Sequence, residues 1–247
     1  MAQEKPRRRK KRRKKYYLLK LILFIMLGVG IYYFLTSDFF QIQELTVVNN
    51  KYYTAEQIIS IGEIKKGGNL FQESTAEVKD KLLKDPYIKN IKVSRKLPDE
   101  IVITVEERQE TAAIPFGESY ILIDKEGMIL RETGVEPTLP LLLGMTLSNI
   151  ETGTPLRVEE NAVLNDTLKL LEAMEKNEIF FKKIQISTII IKAYIYDNLI
   201  CEGTPENIMK SMDELPDVLY DLYIKGIERG VIMVGGNGYY SFSPSVE

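Results

Sequence analysis

The stretch DPYIKNIKVSRKLPDEIVITVEER, residues 85–108, predicts a β-hairpin. In its second half Ile101, Ile103 and Val105 alternate with residues of the opposite face, which is the period of a strand with one buried side. Pro98 and Asp99 separate this run from an earlier alternating one and mark the turn. The apolar positions of the earlier run are Ile91, Val93 and Leu97.

Upstream of the hairpin, the sequence predicts one short strand and two short helices. Leu45 and Val47 alternate with polar residues in the strand. Residues 54–57 (TAEQ) and 74–77 (STAE) each have the pattern of a capping box, in which a hydroxyl and a Glu or Gln satisfy free backbone N–H groups at a helix start. The order β-α-α-β-β over residues 40–113 therefore predicts a small α+β module with helices on one face of a three-stranded sheet.

The sequence KKGGNLF separates the two predicted helices. Gly67, Gly68 and Asn69 are residue types that accept positive φ angles, so they predict a left-handed loop. We expect Leu70 and Phe71 to hold this loop inward against the module.

The amino-terminal part predicts a membrane anchor. Residues 1–15 contain ten Lys or Arg, and residues 16–36 form an apolar run whose only charge is Lys20. A helix of this length spans roughly 30 Å, the thickness of a bilayer core. The positive-inside rule then keeps the tail in the cytoplasm and exports the remainder, which predicts a single-pass protein of a plasma membrane.

Two alternatives for this end compete with the anchor. A cleaved signal peptide has a shorter apolar run and an A-x-A-like cleavage site, which TSDFFQIQ (residues 36–43) does not offer. A nucleic-acid-binding tail would also use Arg and Lys, but a basic cluster next to a membrane helix is more simply explained by topology and anionic lipid.

Residues 115–244 predict a β-rich domain with flanking helices. Residues 124–127 (DKEG) form a turn between two strands, in which Gly127 takes the left-handed position. Residues 189–196 alternate as a strand, and residues 204–216 begin as a helix with Pro205 in its first position. The predicted fold class is thus α+β, with a transmembrane helix, a β-α-α-β-β domain and a β-rich domain.

Composition excludes several chemistries. The chain has no His and one Cys, so histidine-dependent nucleophiles, histidine zinc sites and intrachain disulfides are impossible. We expect Cys201 to face inward as a small apolar group. We predict no catalytic residue, no metal site and no cofactor. The alternative function is a membrane-anchored wall-processing enzyme that uses carboxylates alone, with Glu106 and Glu107 or Glu159 and Glu160 as acid and base.

The predicted module, its position after a single anchor and particular residues resemble the POTRA domain of the bacterial FtsQ/DivIB cell-division family. The strand IQELTVVNN, the loop GGNLF and the hairpin at residues 85–108 have the form that family members show. The usual Pro-Val after the last Arg is replaced here by residues 109–113. The matching positions are Asp85, Pro86, Ile91, Val93, Arg95, Pro98, Ile101, Val105, Glu107 and Arg108.

The resemblance implies a non-enzymatic scaffold of the division machinery at the septum. Its partners would be other bitopic division proteins, of the FtsB or DivIC kind and the FtsL kind, and its role would be to support septal cell-wall synthesis. No nucleic acid or small-molecule substrate is implied.

The last predicted hairpin, GVIMVGGNGYYSFS, is the candidate partner-binding site. A terminal strand at a sheet edge presents backbone N–H and C=O groups that an extended partner can join, and the last strands of the domain receive partners in the resembling family. Aromatic residues here could instead pack the core, since alternation puts Tyr240 and Phe242 on one face and Tyr239 on the other. The predicted binding residues are Val231, Met233, Tyr239, Tyr240 and Phe242.

Overall fold

The computed structural model describes residues 15–159, 161–187, 189–236 and 239–244. These residues form six α-helices and twelve β-strands; residues 1–14 of the predicted cytoplasmic tail lie outside them. The helices are α1 (Lys15–Leu35), α2 (Ala55–Ile61), α3 (Thr75–Leu82), α4 (Asn161–Lys176), α5 (Pro205–Lys210) and α6 (Leu215–Ile224). The strands are β1 (Glu44–Val48), β2 (Ile88–Lys96), β3 (Glu100–Glu107), β4 (Ala112–Phe116), β5 (Ser119–Ile123), β6 (Ile129–Thr133), β7 (Leu141–Leu143), β8 (Lys183–Gln185), β9 (Ile191–Tyr196), β10 (Leu199–Gly203), β11 (Gly230–Val234) and β12 (Tyr240–Ser243).

Helix α1 coincides with the predicted anchor. Its segment Tyr16–Leu35 is long and apolar enough to cross a membrane by length and composition. Its side chains are exposed along nearly the whole length, as expected of a helix whose apolar surface is covered by lipid.

The first sheet has the strand order β1-β3-β2, with β1 parallel and β2 antiparallel to β3. The predicted hairpin is confirmed, and its register pairs Ile91 with Val105 and Val93 with Ile103. Leu97 was predicted to belong to the first alternating run, which is wrong: it lies in the turn after β2 and is 63% exposed. Helices α2 and α3 cover one face of the sheet, and the buried core between them contains Ile58, Leu70, Val78, Leu82, Ile101 and Ile103.

The two predicted helix starts are present. Thr54 accepts a hydrogen bond from the Gln57 N–H, and the Gln57 side chain accepts one from the Thr54 backbone N–H, which completes the capping box. At α3 the Ser74 hydroxyl accepts from the N–H of Glu77. Both caps satisfy donors that a helix start leaves free.

The loop between α2 and α3 differs from its prediction. Within it Gly67 has a positive φ of 89°, whereas Gly68 and Asn69 do not have one. Asn69 instead turns its side-chain amide to the end of α1 and donates to the carbonyl of Leu35 at 2.9 Å. Leu70 is buried as predicted, but Phe71 remains 39% exposed.

The described part of the second sheet has nine strands in the order β12-β11-β10-β9-β8-β7-β4-β5-β6. It is mixed, because β10 and β11, β4 and β7, and β7 and β8 pair in parallel. Helices α4, α5 and α6 contribute to one large core on this sheet, and a smaller cluster of Ala113, Leu122 and Leu141 lies apart from it.

The turn, the strand start and the helix of the second domain agree with their predictions to different degrees. The turn at residues 124–127 is confirmed, since Gly127 has φ 77° and donates to the Asp124 carbonyl. The strand predicted over residues 189–196 begins two residues later, at Ile191, and Ile189 before it is 71% exposed. The helix starting at Pro205 ends at Lys210, and α6 follows from Leu215 with Pro216 in its first turn, where a missing N–H costs no hydrogen bond.

Charged and tyrosine side chains join the two sheets across the short connection between β3 and β4. The guanidinium of Arg108 lies 2.5 Å from the carboxylate of Asp124 and 2.9 Å from that of Glu126. Arg131 contacts Glu110 at 2.7 Å, and Glu110 also accepts from the Tyr87 hydroxyl at 2.5 Å. We call this set, with Lys89, which pairs with Glu126, the inter-sheet seam.

Candidate functional site at the terminal strand

Strand β12 lies at one end of the nine-stranded sheet. It pairs antiparallel with β11, with Ile232 opposite Phe242 and Val234 opposite Tyr240. Within the described residues its other side has no β partner, so the strand presents an open edge. Such an edge can accept an extended segment of another chain through backbone hydrogen bonds.

Two of the five predicted binding residues face the core. Tyr240 and Phe242 pack against the large buried cluster of the second sheet. The Tyr240 hydroxyl donates to the backbone carbonyl of Ser211, and burial raises the pKa of Tyr240 above its ordinary value. These side chains hold β12 on the sheet and offer little area to a partner.

The ring of Phe242 lies directly over Gly230, at the start of β11. Gly230 has φ 141°, and a Cβ atom there would lie 2.5 Å from Cζ of Phe242 and 2.7 Å from the Ser243 carbonyl oxygen. Glycine is therefore required here both by backbone conformation and by space. This close approach explains how β12 can pack tightly on the first residue of its neighbour.

The other three predicted residues lie on the outer face. Met233 is 51% exposed and Tyr239 is 70% exposed, while Val231 on the same face is half-buried. Ile190, 40% exposed, lines the same shallow depression as Met233 and Tyr239. We call Ile190, Met233 and Tyr239 the edge patch.

Ile190 is a candidate site residue that the sequence pattern did not indicate. In the strand predicted over residues 189–196, alternation puts it on the same face as Lys192 and Tyr194. An isolated apolar residue on a polar face was the available signal. The pattern alone does not show that this face adjoins β11 and β12, because that neighbourhood depends on the strand order of the sheet.

The carboxylates considered for catalysis have structural contacts. Glu107 accepts three backbone N–H groups, from Lys51 and Tyr52 at 2.6 Å each and from Tyr53 at 3.2 Å. It therefore fixes the loop between β1 and α2. Glu106 lies 3.6 Å from the ammonium of Lys89.

The second carboxylate pair is only partly described, since Glu159 is exposed and Glu160 lies outside the described residues. Among the described residues, no group of three or more His, Cys, Asp or Glu side chains could hold a metal ion. Cys201 is buried as predicted, and burial raises the pKa of its thiol to about 12. At neutral pH this thiol stays protonated, so it is a poor nucleophile.

The chain is similar to known proteins over much of its length. Residues 40–108 match the family described as "POTRA domain, FtsQ-type". The chain is similar to the cell division protein DivIB of Clostridium acetobutylicum, with 32% identity over 84% of this chain and 85% of that protein. It is also similar to the cell division protein FtsQ of Syntrophotalea carbinolica, with 27% identity over 58% of this chain and 50% of that protein.

A solved structure is also similar to this chain: the major extracytoplasmic domain of the trans isomer of the bacterial cell division protein DivIB from Geobacillus stearothermophilus. Its sequence identity is 14% and its TM-score is 0.32, and the match covers 48% of this chain and 97% of that one.

Proposed function

Since the chain belongs to the FtsQ/DivIB family of cell division proteins, we propose that it is a non-enzymatic bitopic scaffold of the bacterial divisome. Its exported part binds other bitopic division proteins, of the FtsB or DivIC kind and the FtsL kind, and so supports septal cell-wall synthesis. Its activity is assembly, and any effect on synthesis arises from different affinities for partner conformations.

The proposed membrane topology rests on the basic charge of residues 1–15 and on the length of the apolar run at residues 16–36. The basic residues 1–15 stay in the cytoplasm, residues 16–36 cross the plasma membrane once, and residues 40–113 and 115–244 form two exported domains. The support is the strong excess of Lys and Arg on one side of a single apolar helix, which is the signal that sets orientation. We expect the protein at the division septum.

The observation that carries the binding proposal is the open edge of β12 beside the exposed edge patch. An extended partner segment would continue the sheet along β12, and an adjoining part of the same partner would cover the outer face and contact Met233, Tyr239 and Ile190. Tyrosine and methionine are enriched at protein interfaces because each covers a large area. Val231 borders this surface, whereas Tyr240 and Phe242 act indirectly by holding β12.

The test is quantitative binding of the full chain, in nanodiscs, to the membrane-proximal ectodomains of the bitopic division proteins. The variant Met233→Glu with Tyr239→Ala should bind roughly tenfold more weakly or worse, because it removes aromatic area and places a charge at the contact. The matched control is Tyr220→Ala, which removes a tyrosine that is 66% exposed on α6. Unchanged binding by the double variant, with the control also unchanged, would overturn the assignment of the edge.

A second measurement addresses the absence of catalysis. The purified chain is incubated with isolated cell wall, and released muropeptides are quantified. A scaffold should release none above a protein-free sample. Release that disappears when a single carboxylate is neutralised would support a wall-processing enzyme instead.

A further inference from the structure

The last carbonyls of α1 receive hydrogen bonds from outside the helix ladder. The hydroxyl of Thr36 donates to Tyr32 at 2.8 Å, and the amide of Asn69 donates to Leu35 at 2.9 Å. The final turn of a helix leaves carbonyls without donors, and a bilayer core supplies no water to replace them. Asn69 comes from the loop between α2 and α3, so this loop lies directly against the end of the membrane helix.

Backbone hydrogen bonds fix the loop in that place. The N–H of Ile42 donates to Gly68 at 2.8 Å, and the N–H of Leu70 donates to Phe40 at 2.8 Å. Arg95 on β2 also donates to the Leu70 carbonyl, at 2.7 Å. The loop therefore runs alongside residues 40–42, a few residues beyond the end of α1.

Four phenylalanines surround this junction. Phe40 is buried, and the rings of Phe34 and Phe71 meet it edge to face at 5.2 and 5.0 Å. Phe39 stacks on Phe34 with centroids 6.2 Å apart. Phe39 is 62% exposed and Phe71 is 39% exposed, so the junction presents apolar rings at the surface. Exposed apolar patches of this kind mark contact with a partner or a membrane.

The length of the membrane span indicates the depth of these rings relative to the bilayer. The 20 residues Tyr16–Leu35 extend roughly 30 Å as a helix, which equals the bilayer core, so Leu35 lies at its outer boundary. Lys65 and Lys66 are exposed, and Lys66 precedes Asn69 by three residues, a reach of at most about 10 Å. This reach, with the length of a lysine side chain, allows both ammonium groups to approach the level of the lipid phosphates.

We propose that Phe39, Phe71, Lys65 and Lys66 form a membrane-docking surface for the outer leaflet. The two rings enter the interface between acyl chains and headgroups, and the two lysines bind lipid phosphates. The occupant is lipid because the surface continues directly from the membrane span. Asp38 contributes one negative charge, and the carboxylate of nearby Glu63 is paired with Lys81, so Lys65 and Lys66 leave the surface net positive. The inference rests on the proposed topology of α1.

This surface would orient the exported part. A single helix leaves an attached domain free to tilt, whereas contacts at the helix end and at the loop fix its angle to the membrane. The direction in which the nine-stranded sheet projects would then be set by lipid contacts and by Asn69.

The test uses tryptophan fluorescence, because the chain contains no Trp. Single variants Phe71→Trp and Phe39→Trp of the full chain are reconstituted in vesicles of phosphatidylcholine and phosphatidylglycerol. The phosphatidylcholine carries bromines near the headgroup end of its acyl chains, which quench a nearby indole. Ile25→Trp, in the middle of α1, reports on the span, and Tyr220→Trp on α6 is the water-exposed control.

The proposal expects quenching at positions 71 and 39 and none at position 220. Adding Lys65→Gln with Lys66→Gln should lower the ratio of docked to undocked protein by roughly five-fold for each lysine, and high salt should act in the same direction. Suppose that the indoles at positions 71 and 39 are unquenched while Ile25→Trp is quenched by lipid brominated deep in its acyl chains. This result would overturn the docking proposal but would still support the membrane anchor. An unquenched Ile25→Trp would overturn the topology and the docking together.

Discussion

Tyr239 and Tyr240 are neighbours in the chain but lie on opposite faces of the second sheet. Tyr239 is 70% exposed, whereas the Tyr240 hydroxyl donates to the backbone carbonyl of Ser211 on the core side. Side-chain alternation therefore gives the terminal strand one exposed face and one face that packs on the core. One residue is available to a partner, and the next holds the strand in place.

Substitutions at these two tyrosines should separate stability from binding. Tyr240→Phe removes a hydrogen bond and leaves the Ser211 carbonyl without this donor, so the free energy of unfolding should fall by about 1 kcal/mol. Tyr239→Ala should change it by less than about 0.5 kcal/mol, because the side chain is exposed. Urea unfolding followed by circular dichroism measures both. An equal loss of stability in the two variants would contradict the assignment of faces.

Gly230 should tolerate no side chain. In Gly230→Ala the Cβ would meet the Phe242 ring and the Ser243 carbonyl, in a backbone conformation that L residues rarely adopt. We expect a loss of roughly 3 kcal/mol or more of unfolding free energy.

Gly226→Ala is the control for conformation alone, because Gly226 has φ 67° but no atom within 4 Å of the added Cβ. It should cost about 1 to 2 kcal/mol, the strain of a left-handed backbone. Thermal unfolding of both variants provides the measurement. If Gly230→Ala were no worse than Gly226→Ala, the close packing of Phe242 would be refuted.

Local patterns allowed much of the fold to be predicted. The β2–β3 hairpin and the cap at Thr54 depend on residues a few positions apart, so alternation and capping rules were sufficient. The prediction for Leu97 failed because it extended the alternation into the turn. The family resemblance was also carried by these local patterns.

Long-range features could not be predicted from the same patterns. The parallel pairing of β10 with β11 joins segments separated by α5 and α6, and no local signal encodes it. For Asn69 the local pattern indicates only a loop. Its contact with Leu35 spans 34 positions, so no pattern of neighbouring residues could indicate it. Ile190 was missed for the same reason: its neighbours Met233 and Tyr239 come from distant strands.

The pair of Arg108 and Asp124 should be a main link between the two sheets. Their side chains are 12% and 4% exposed, and the carboxylate also accepts the N–H groups of Glu126 and Met128. Arg108→Met leaves a buried carboxylate without its cation, so we expect a loss of roughly 3 kcal/mol in unfolding free energy.

The control for Arg108 is Lys210→Met, which breaks an exposed pair with Glu206 and should cost less than about 0.5 kcal/mol. Combining Arg108→Met with Asp124→Asn should lower the unfolding free energy by less than the sum of the two single losses. In the double variant the side chain at position 124 is a neutral amide, so no buried charge is left unpaired. Additive losses in chemical unfolding would show that the two residues act independently.

The inter-sheet seam should also make stability depend on pH. Burial acts to raise the pKa of Glu110, but hydrogen bonds from Arg131 and Tyr87 outweigh it and hold the pKa below its ordinary value. Hydrogen bonds from Lys89 and Arg108 likewise lower the pKa of Glu126. A carboxylate with a lowered folded-state pKa adds stability above its unfolded pKa, and this contribution is lost as pH falls.

We therefore expect the melting temperature to fall as the pH decreases below about 5, where unfolded glutamates take up protons before the folded ones. Glu110→Gln keeps the shape of the side chain and removes its titration, so the variant should show a shallower decline than the parent chain. Glu118→Gln, an exposed change at the turn between β4 and β5, controls for the loss of one charge. A decline in Glu110→Gln as steep as that of the parent would show that Glu110 does not contribute to the acid dependence of stability.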